Sequence, residues 1–318
     1  MADLRLDTVN LALGEPNPYL RQGLRQAFNA RGLGGVIDCH SMEKVEEALT
    51  AGTLDVLVCD VELKGGDFCD SIHRMRHHKL GANPFVLVIG TIGSPDPALI
   101  RRVIDCGVDD LLLKPVSIEQ VMERIKGFVR ARKPFVVTHD YIGPDRRKAP
   151  RPGESHPTDL IEVPNTLRGK VVEGRSADDL QKQVQASAVG LNQHKMQRHA
   201  VQIGFLVRRI LANVGQVEMG DIYNDDCRRL VEVTKDLSLR LRGTNYAHVA
   251  ELAASLGGLA QRFCQEGFQP GDVDQELLNK LSMAVRRAFG ADQDTAAVAR
   301  MISDTVSRFA QDKTDGKD

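Results

Sequence analysis

Five short apolar runs, each separated from the next by a stretch of helical spacing, constrain what residues 8–131 can become. The runs cover 9–13, 35–39, 54–59, 85–89 and 111–113, and they are rich in Val, Leu and Ile with few interruptions. Such runs suit strands buried on both faces, as in a parallel sheet, rather than strands with one wet face. The segments between them, 18–31, 42–51, 67–78, 95–106 and 118–132, carry apolar residues at helical spacing. Five β-α repeats predict a doubly wound α/β domain with a five-stranded parallel sheet.

The pattern breaks over 133–174. Prolines at 134, 144, 150, 152, 157 and 164 and the basic run Asp145-Arg146-Arg147-Lys148 read as a linker between domains at 1–132 and 175–318. From Ser176 onward the spacing is helical again. Ser176 with Asp179 resembles a helix start. Stripes follow at Leu180, Val184, Ser187 and Leu191, at Ile203, Leu206 and Ile210, and at Val249, Leu252, Leu256, Leu259 and Phe263. Further stripes lie at Leu277, Leu278, Leu281, Val285 and Phe289, and at Val298, Met301, Ile302, Val306 and Phe309, with Gly215, Gly243, Gly267 and Gly290 as stops. An all-α helical bundle is the expected C-terminal domain.

A length of 318 residues allows two cores, and a formal net charge of −1 advertises neither nucleic acid nor an acidic membrane as partner. The six cysteines show no CxxC or zinc spacing and read as reduced core thiols. The first ten residues lack the apolar run of a signal peptide, and no stretch is long and apolar enough to span a bilayer. A cytoplasmic protein is expected.

Ligands of open α/β sheets bind outside the carboxyl ends of the strands. The first run ends in Gly14-Glu15, the third in Asp60, the fourth in Gly90-Thr91 and the fifth in Lys114-Pro115. Two carboxylates, a hydroxyl and an ammonium therefore converge on one edge. With the segments ALGEPNPYLRQGL, LDVLVCDVEL, TIGSPDPALIRRVIDCG and GVDDLLLKPVS, residues 8–131 resemble the flavodoxin-like receiver domain of two-component response regulators. The resemblance implies that Asp60 accepts a phosphoryl group from the phosphohistidine of a sensor histidine kinase or phosphotransfer protein. Lys114 is then the phosphate-contacting lysine and Thr91 the switch hydroxyl. Mg²⁺ is the implied cofactor, with Glu15, Asp60 and the backbone carbonyl of Glu62 as its protein ligands. The chemistry is consistent: a carboxylate is a weak nucleophile, and an incoming phosphoryl needs its charge neutralised. Beyond possible autophosphatase action, no enzymatic activity is implied.

Three departures from the family pattern matter. The family has two adjacent acids after the first strand; Gly14 replaces one, which should weaken Mg²⁺ binding, and Gly14→Asp should restore it. Leu111 stands where an aromatic switch is usual. Thr91 is one residue off the commonest spacing to Gly107, which makes Gly90 a competitor for its place. The alternative function is a degenerate receiver that serves as a non-phosphorylated scaffold or docking protein. The helical domain is expected to signal through an unknown protein partner or as a homodimer, by the stripe from Val249 to Phe263.

Other motifs favour bland readings. Arg146, Arg147 and Arg151 form RRxxxR, similar to the arginine motif of PilZ domains, but helices rather than a barrel of strands follow, so a solvated linker or a latch onto an acidic surface is expected. HVAELAASLGGL at His248 is only loosely similar to a phosphotransfer helix, because Glu251 and Leu252 stand where Lys or Arg and Gly belong. His73, His77 and His78 are read as surface histidines.

Overall fold

The computed structural model describes residues 5–138, 140–147, 160–215, 220–265 and 268–290, in two compact units, Met1–Leu191 and Asn192–Asp318. Among the described residues, no helix is long and apolar enough to cross a membrane.

The first unit holds the expected sheet. Strands β1 (Asn10–Gly14), β2 (Gly35–Cys39), β3 (Val56–Asp60), β4 (Leu87–Ile92) and β5 (Asp110–Leu113) lie parallel in the order β2-β1-β3-β4-β5. They alternate with α1 (Pro18–Ala30), α2 (Met42–Thr50), α3 (Phe68–Arg76), α4 (Pro97–Asp105) and α5 (Ile118–Arg130). Because side chains alternate along a strand, the apolar runs split between two cores. Ala12, Leu57, Cys59 and Val88 pack with Val45, Ile72 and Val103 from α2, α3 and α4. Leu11, Leu13, Val58 and Ile89 pack with Phe28 of α1 and Val121, Ile125 and Val129 of α5. Helix starts follow local chemistry. Asn17 and Asp96 each accept two backbone N–H groups ahead of a proline in the first turn, and Ser117 with Gln120 closes a capping box.

The segment expected to be a linker carries structure of its own. Strands β6 (Phe135–Val137), β7 (Ile142–Pro144) and β8 (Leu160–Ile161) form an antiparallel sheet in the order β7-β6-β8. Its prolines are compatible with this, since Pro134 precedes a strand and Pro144 closes an edge strand. Phe135 is fully buried beside Phe85, with ring centroids 5.9 Å apart. The guanidinium carbons of Arg76 and Arg132 lie 5.1 and 5.5 Å from its ring centre.

Arg76 is 0% exposed. It donates to the carbonyls of Gly107 (2.9 Å), Pro84 (2.5 Å) and Val86 (2.9 Å) and to Asp109 Oδ2 (2.7 Å). Asp109 also accepts from Arg132 (3.3 Å) and from the Val88 N–H (2.8 Å). Arg146, expected in a solvated segment, is partly buried and donates to the Val108 carbonyl (2.5 Å). Gly107, at φ +97°, admits this approach: a Cβ there would stand 2.6 Å from the Ile142 carbonyl oxygen. Helix α6 (Thr166–Val171) then returns to the sheet, burying Leu167 and Val171 and setting Lys170 Nζ 2.7 Å from Asp55 Oδ2. Arg151 lies outside the described residues.

Helix α7 (Ala177–Ala212) begins as expected, with Ser176 Oγ accepting the Asp179 N–H at 3.1 Å. Its first half lies in the first unit, where Val184 and Leu191 join Phe85 and Phe135 in one cluster. In the second unit, residues 192–212 and helices α8 (Gly220–Leu241), α9 (Ala250–Phe263) and α10 (Asp272–Ala288) surround one apolar core. The α9 stripe, from Val249 through Leu256 and Leu259 to Phe263, is buried in that core. Its small residues let α8 come close, since a methyl at Gly257 would stand 2.7 Å from Thr234 Oγ1. The stripe therefore finds its partners within the unit and is not left for a second chain. Gly215, Gly243 and Gly290 take positive φ just after α7, α8 and α10. Gly267 and the stripe from Val298 to Phe309 lie outside the described residues.

His248 is exposed in a short turn before α9. His77, expected at the surface, is instead buried and stacked on His73 with ring centroids 3.9 Å apart.

Candidate functional site

The strand order places the switch between β1 and β3, where chain connections diverge and a crevice opens at the carboxyl ends. Glu15 follows β1 directly and Asp60 ends β3. Both are buried, at 4% and 6% exposure. Lys114, just after β5, reaches both. Its ammonium stands 2.6 Å from Glu15 Oε2 and hydrogen-bonds Asp60 Oδ2. The Lys114 N–H donates to the Ile92 carbonyl (2.8 Å), which ties its backbone to β4, and the Lys114–Pro115 bond is cis. Burial pulls the Lys114 ammonium down, but the hydrogen bonds to Asp60 and Glu15 and their charges outweigh it and hold it above the ordinary lysine value.

The remaining oxygens are also oriented. Asp60 Oδ1 accepts the Glu62 N–H (2.7 Å), and Glu15 Oε1 accepts the Asn17 N–H (2.9 Å). Arg21 donates to the Glu15 carbonyl (2.5 Å). Asn17 and Arg21 are supporting residues that the strand-end reading missed; the Asn17-Pro18 helix start was the one available signal. Thr91 is the cross-strand partner of Asp60 and is buried. Gly90 lies one row back, opposite Cys59 and Leu111, on the face toward α4. Sheet alternation thus puts Thr91, and not Gly90, on the side of Asp60. Glu15, Asp60, Thr91 and Lys114 come together at one edge, and Glu62 follows in the adjoining loop.

The donor set suits a small hard cation. Two carboxylates facing one ammonium leave one negative charge in excess, and all the oxygens are hard donors. Among the described residues no group of three His, Cys, Asp or Glu could hold a metal. A two-carboxylate site with a backbone carbonyl is compatible with Mg²⁺, which keeps several waters.

Gly14 has a steric reason to lack a side chain. A Cβ there would stand 2.5 Å from Cys59 Sγ and 3.1 Å from Leu63 Cδ2. The Cys59 thiol fills the space above Gly14 and lies 3.2 Å from the Asp60 carbonyl oxygen. The expected gain from Gly14→Asp therefore meets an obstacle that the sequence alone conceals.

Residues 13–126 match the family model described as the response regulator receiver domain. No curated protein matches the chain. Among solved structures, the chain is similar to a LuxR-family DNA-binding response regulator from Staphylococcus aureus, at 22% identity over 37% of this chain and 97% of that one, TM-score 0.34. It is also similar to a response regulator from Thermotoga maritima, at 20% identity over 39% and 98%, TM-score 0.33. A third is the chemotaxis protein CheY4 of Vibrio cholerae, at 14% identity over 37% and 97%, TM-score 0.33. Residues 13–126 of this chain are a response regulator receiver domain, the phosphoacceptor module of two-component signalling, and the region that follows it is helical towards the C-terminus.

Proposed function

We propose that Asp60 is the phosphoacceptor of this receiver and that its donor is the phosphohistidine of a sensor kinase or phosphotransfer protein. The observation that carries the reading is the ammonium of Lys114 shared by two buried carboxylates, Glu15 and Asp60, at the strand ends. In the reaction a carboxylate oxygen of Asp60 attacks phosphorus, the bond from phosphorus to the donor imidazole breaks, and an acyl phosphate forms. Lys114 turns from Asp60 Oδ2 to the phosphoryl oxygens as a point positive charge. Glu15, Asp60 and the Glu62 carbonyl would hold Mg²⁺, which offsets phosphoryl charge when bound. Thr91, across the sheet from Asp60, donates its hydroxyl to the new phosphate and couples it to the loop that follows β4.

The receiver proper spans 1–132, and the helical region from 175 signals through contact with another protein. One observation favours a second reading, a docking module that is never phosphorylated: Gly14 and Cys59 leave the site one acid short. Intact mass with acetyl phosphate and Mg²⁺ separates the two. The phosphoacceptor reading expects one added phosphoryl group on the wild type and none on Asp60→Asn.

A further inference from the structure

Helix α10 has two unlike sides. Leu278, Ser282 and Val285 are buried toward the core of the second unit, with Leu281 and Ala288 packed at its margin. Two neighbouring helices hold this side. Arg262 of α9 lies 3.4 Å from Asp274, and Gly204 of α7 lies under Arg286, where a Cβ would stand 2.5 Å from its Cδ. The other side is open. Val273 is 79% exposed, Leu277 46% and Met283 38%. At about 3.6 residues per turn, positions 273, 276, 277, 280, 283 and 287 fall within about a third of the helix circumference.

Isolated exposed apolar side chains are ordinary, and Ile222 and Leu239, at opposite ends of α8, stand in that way. On α10 the three are aligned along about 15 Å of one helix face. They are interleaved with charge: Glu276 and Lys280 have side chains 65% and 69% exposed, with Nζ 2.7 Å from Oε1. Charge is also graded along the helix. Asp272, Asp274 and Glu276 lie in its N-terminal half, and Lys280, Arg286 and Arg287 in its C-terminal half. Acids at a helix start and bases at its end also suit the macrodipole, but that effect fades beyond the first and last turns. Glu276 and Lys280 stand in the middle of the exposed face. A helix charged in this way is complementary to its own reversed copy.

We propose that this face of α10 docks on the same face of a second copy of the chain, antiparallel across a two-fold axis level with residue 278. That register sets Val273 against the partner's Met283 and Glu276 against the partner's Lys280. It brings Leu277 of both copies together beside the axis. Each contact occurs twice, as in any isologous interface. Each Glu276 then lies between two ammonium groups, one from its own helix and one from the partner. One helix from each copy makes a small interface, so the association is weak and reversible, and salt weakens it further. The pairing gives the helical region a partner, and it stands whether or not Asp60 takes up phosphate.

Sedimentation of the full chain at low salt, from micromolar to several hundred micromolar, tests this. The wild type should show a reversible monomer–dimer equilibrium. Glu276→Lys and Lys280→Glu each oppose like charges twice across the axis, and each should weaken the dimer about tenfold or more. Mixed in equal amounts, the two variants complement each other, and a dimer holding one of each should return to roughly wild-type affinity. Because misfolded variants would not rescue one another, this return identifies the second copy as the occupant. A wild type that stays monomeric throughout would overturn the proposal. So would a dimer that neither variant weakens, since the contact would then lie elsewhere. A monomer whose α10 face crosslinks to residues 291–318 of its own chain would also overturn it and assign the face to that segment.

Discussion

At the scale of single residues, the contact between Gly14 and Cys59 decides how the candidate metal site can be altered. A side chain at 14 must displace Cys59 Sγ, 2.5 Å from where its Cβ would stand. The two positions should then behave non-additively, as neighbours in contact do. Gly14→Asp alone is expected to leave Mg²⁺ affinity unchanged or lower, whereas Gly14→Asp with Cys59→Ala should tighten it several-fold. Mg²⁺ titrations of the two variants check this, and equal tightening in both would show that the thiol is no obstacle. His199 offers a second residue-scale test. Burial holds its pKa down at about 4 despite a 2.8 Å contact between Nε2 and Asp236. The unfolded chain takes up this proton as pH falls through about 6.5, while the folded chain does not until about 4. Stability from this group is therefore complete above the unfolded value and is lost as pH falls between the two. A loss of about 2 kcal/mol from pH 7 to pH 5 is expected. Urea midpoints should show it in the wild type and show less of it in His199→Gln.

At the scale of elements, the small sheet β7-β6-β8 is fastened to the receiver by Phe135, Arg76 and Asp109. Removing one partner of a buried ion pair costs about 3–5 kcal/mol, because the other charge stays buried without it. Asp109→Ala should lower stability by that order, and Phe135→Ala by a similar amount, both measurable by urea unfolding. Solvated side chains would give less than about 0.5 kcal/mol. This fastening was not legible in the sequence. Arg76 sits among polar neighbours in SIHRMRHHK and reads as a solvated helix residue, yet it is fully buried. Strands of two or three residues give no periodicity to read, and the prolines around them carry the same signal as a linker. The main strands were legible as nearly continuous Val-, Leu- and Ile-rich runs, and the main helices by the apolar spacing between them. The site was legible for a simpler reason: parallel strands deliver their last residues to one edge, so Glu15, Asp60, Thr91 and Lys114 could be collected without coordinates. The place of Cys59 above Gly14 depends on a distance across two strands, which no one-dimensional pattern contains.

At the scale of the whole molecule, a receiver domain with its buried extension precedes a helical unit whose main apolar stripe is already used in its own core. The stripe from Val249 to Phe263 is therefore not a free surface of that unit. Isolated Lys114→Ala protein should still fold but lose the response that follows modification, because the ammonium that now bonds Asp60 and Glu15 is the group expected to follow the phosphate. Limited proteolysis before and after phosphodonor treatment would reveal it, and a wild-type shift in Lys114→Ala would count against this role. The proposed function rests on Asp60 as the site of phosphoryl transfer. The most direct measurement is intact and peptide mass of the full chain after acetyl phosphate and Mg²⁺, with Asp60→Asn in parallel. The account predicts one phosphoryl group, labile to acid, to base and to hydroxylamine, on the Asp60 peptide and none on the variant; an unmodified wild type, or equal phosphoryl uptake by Asp60→Asn, would contradict it.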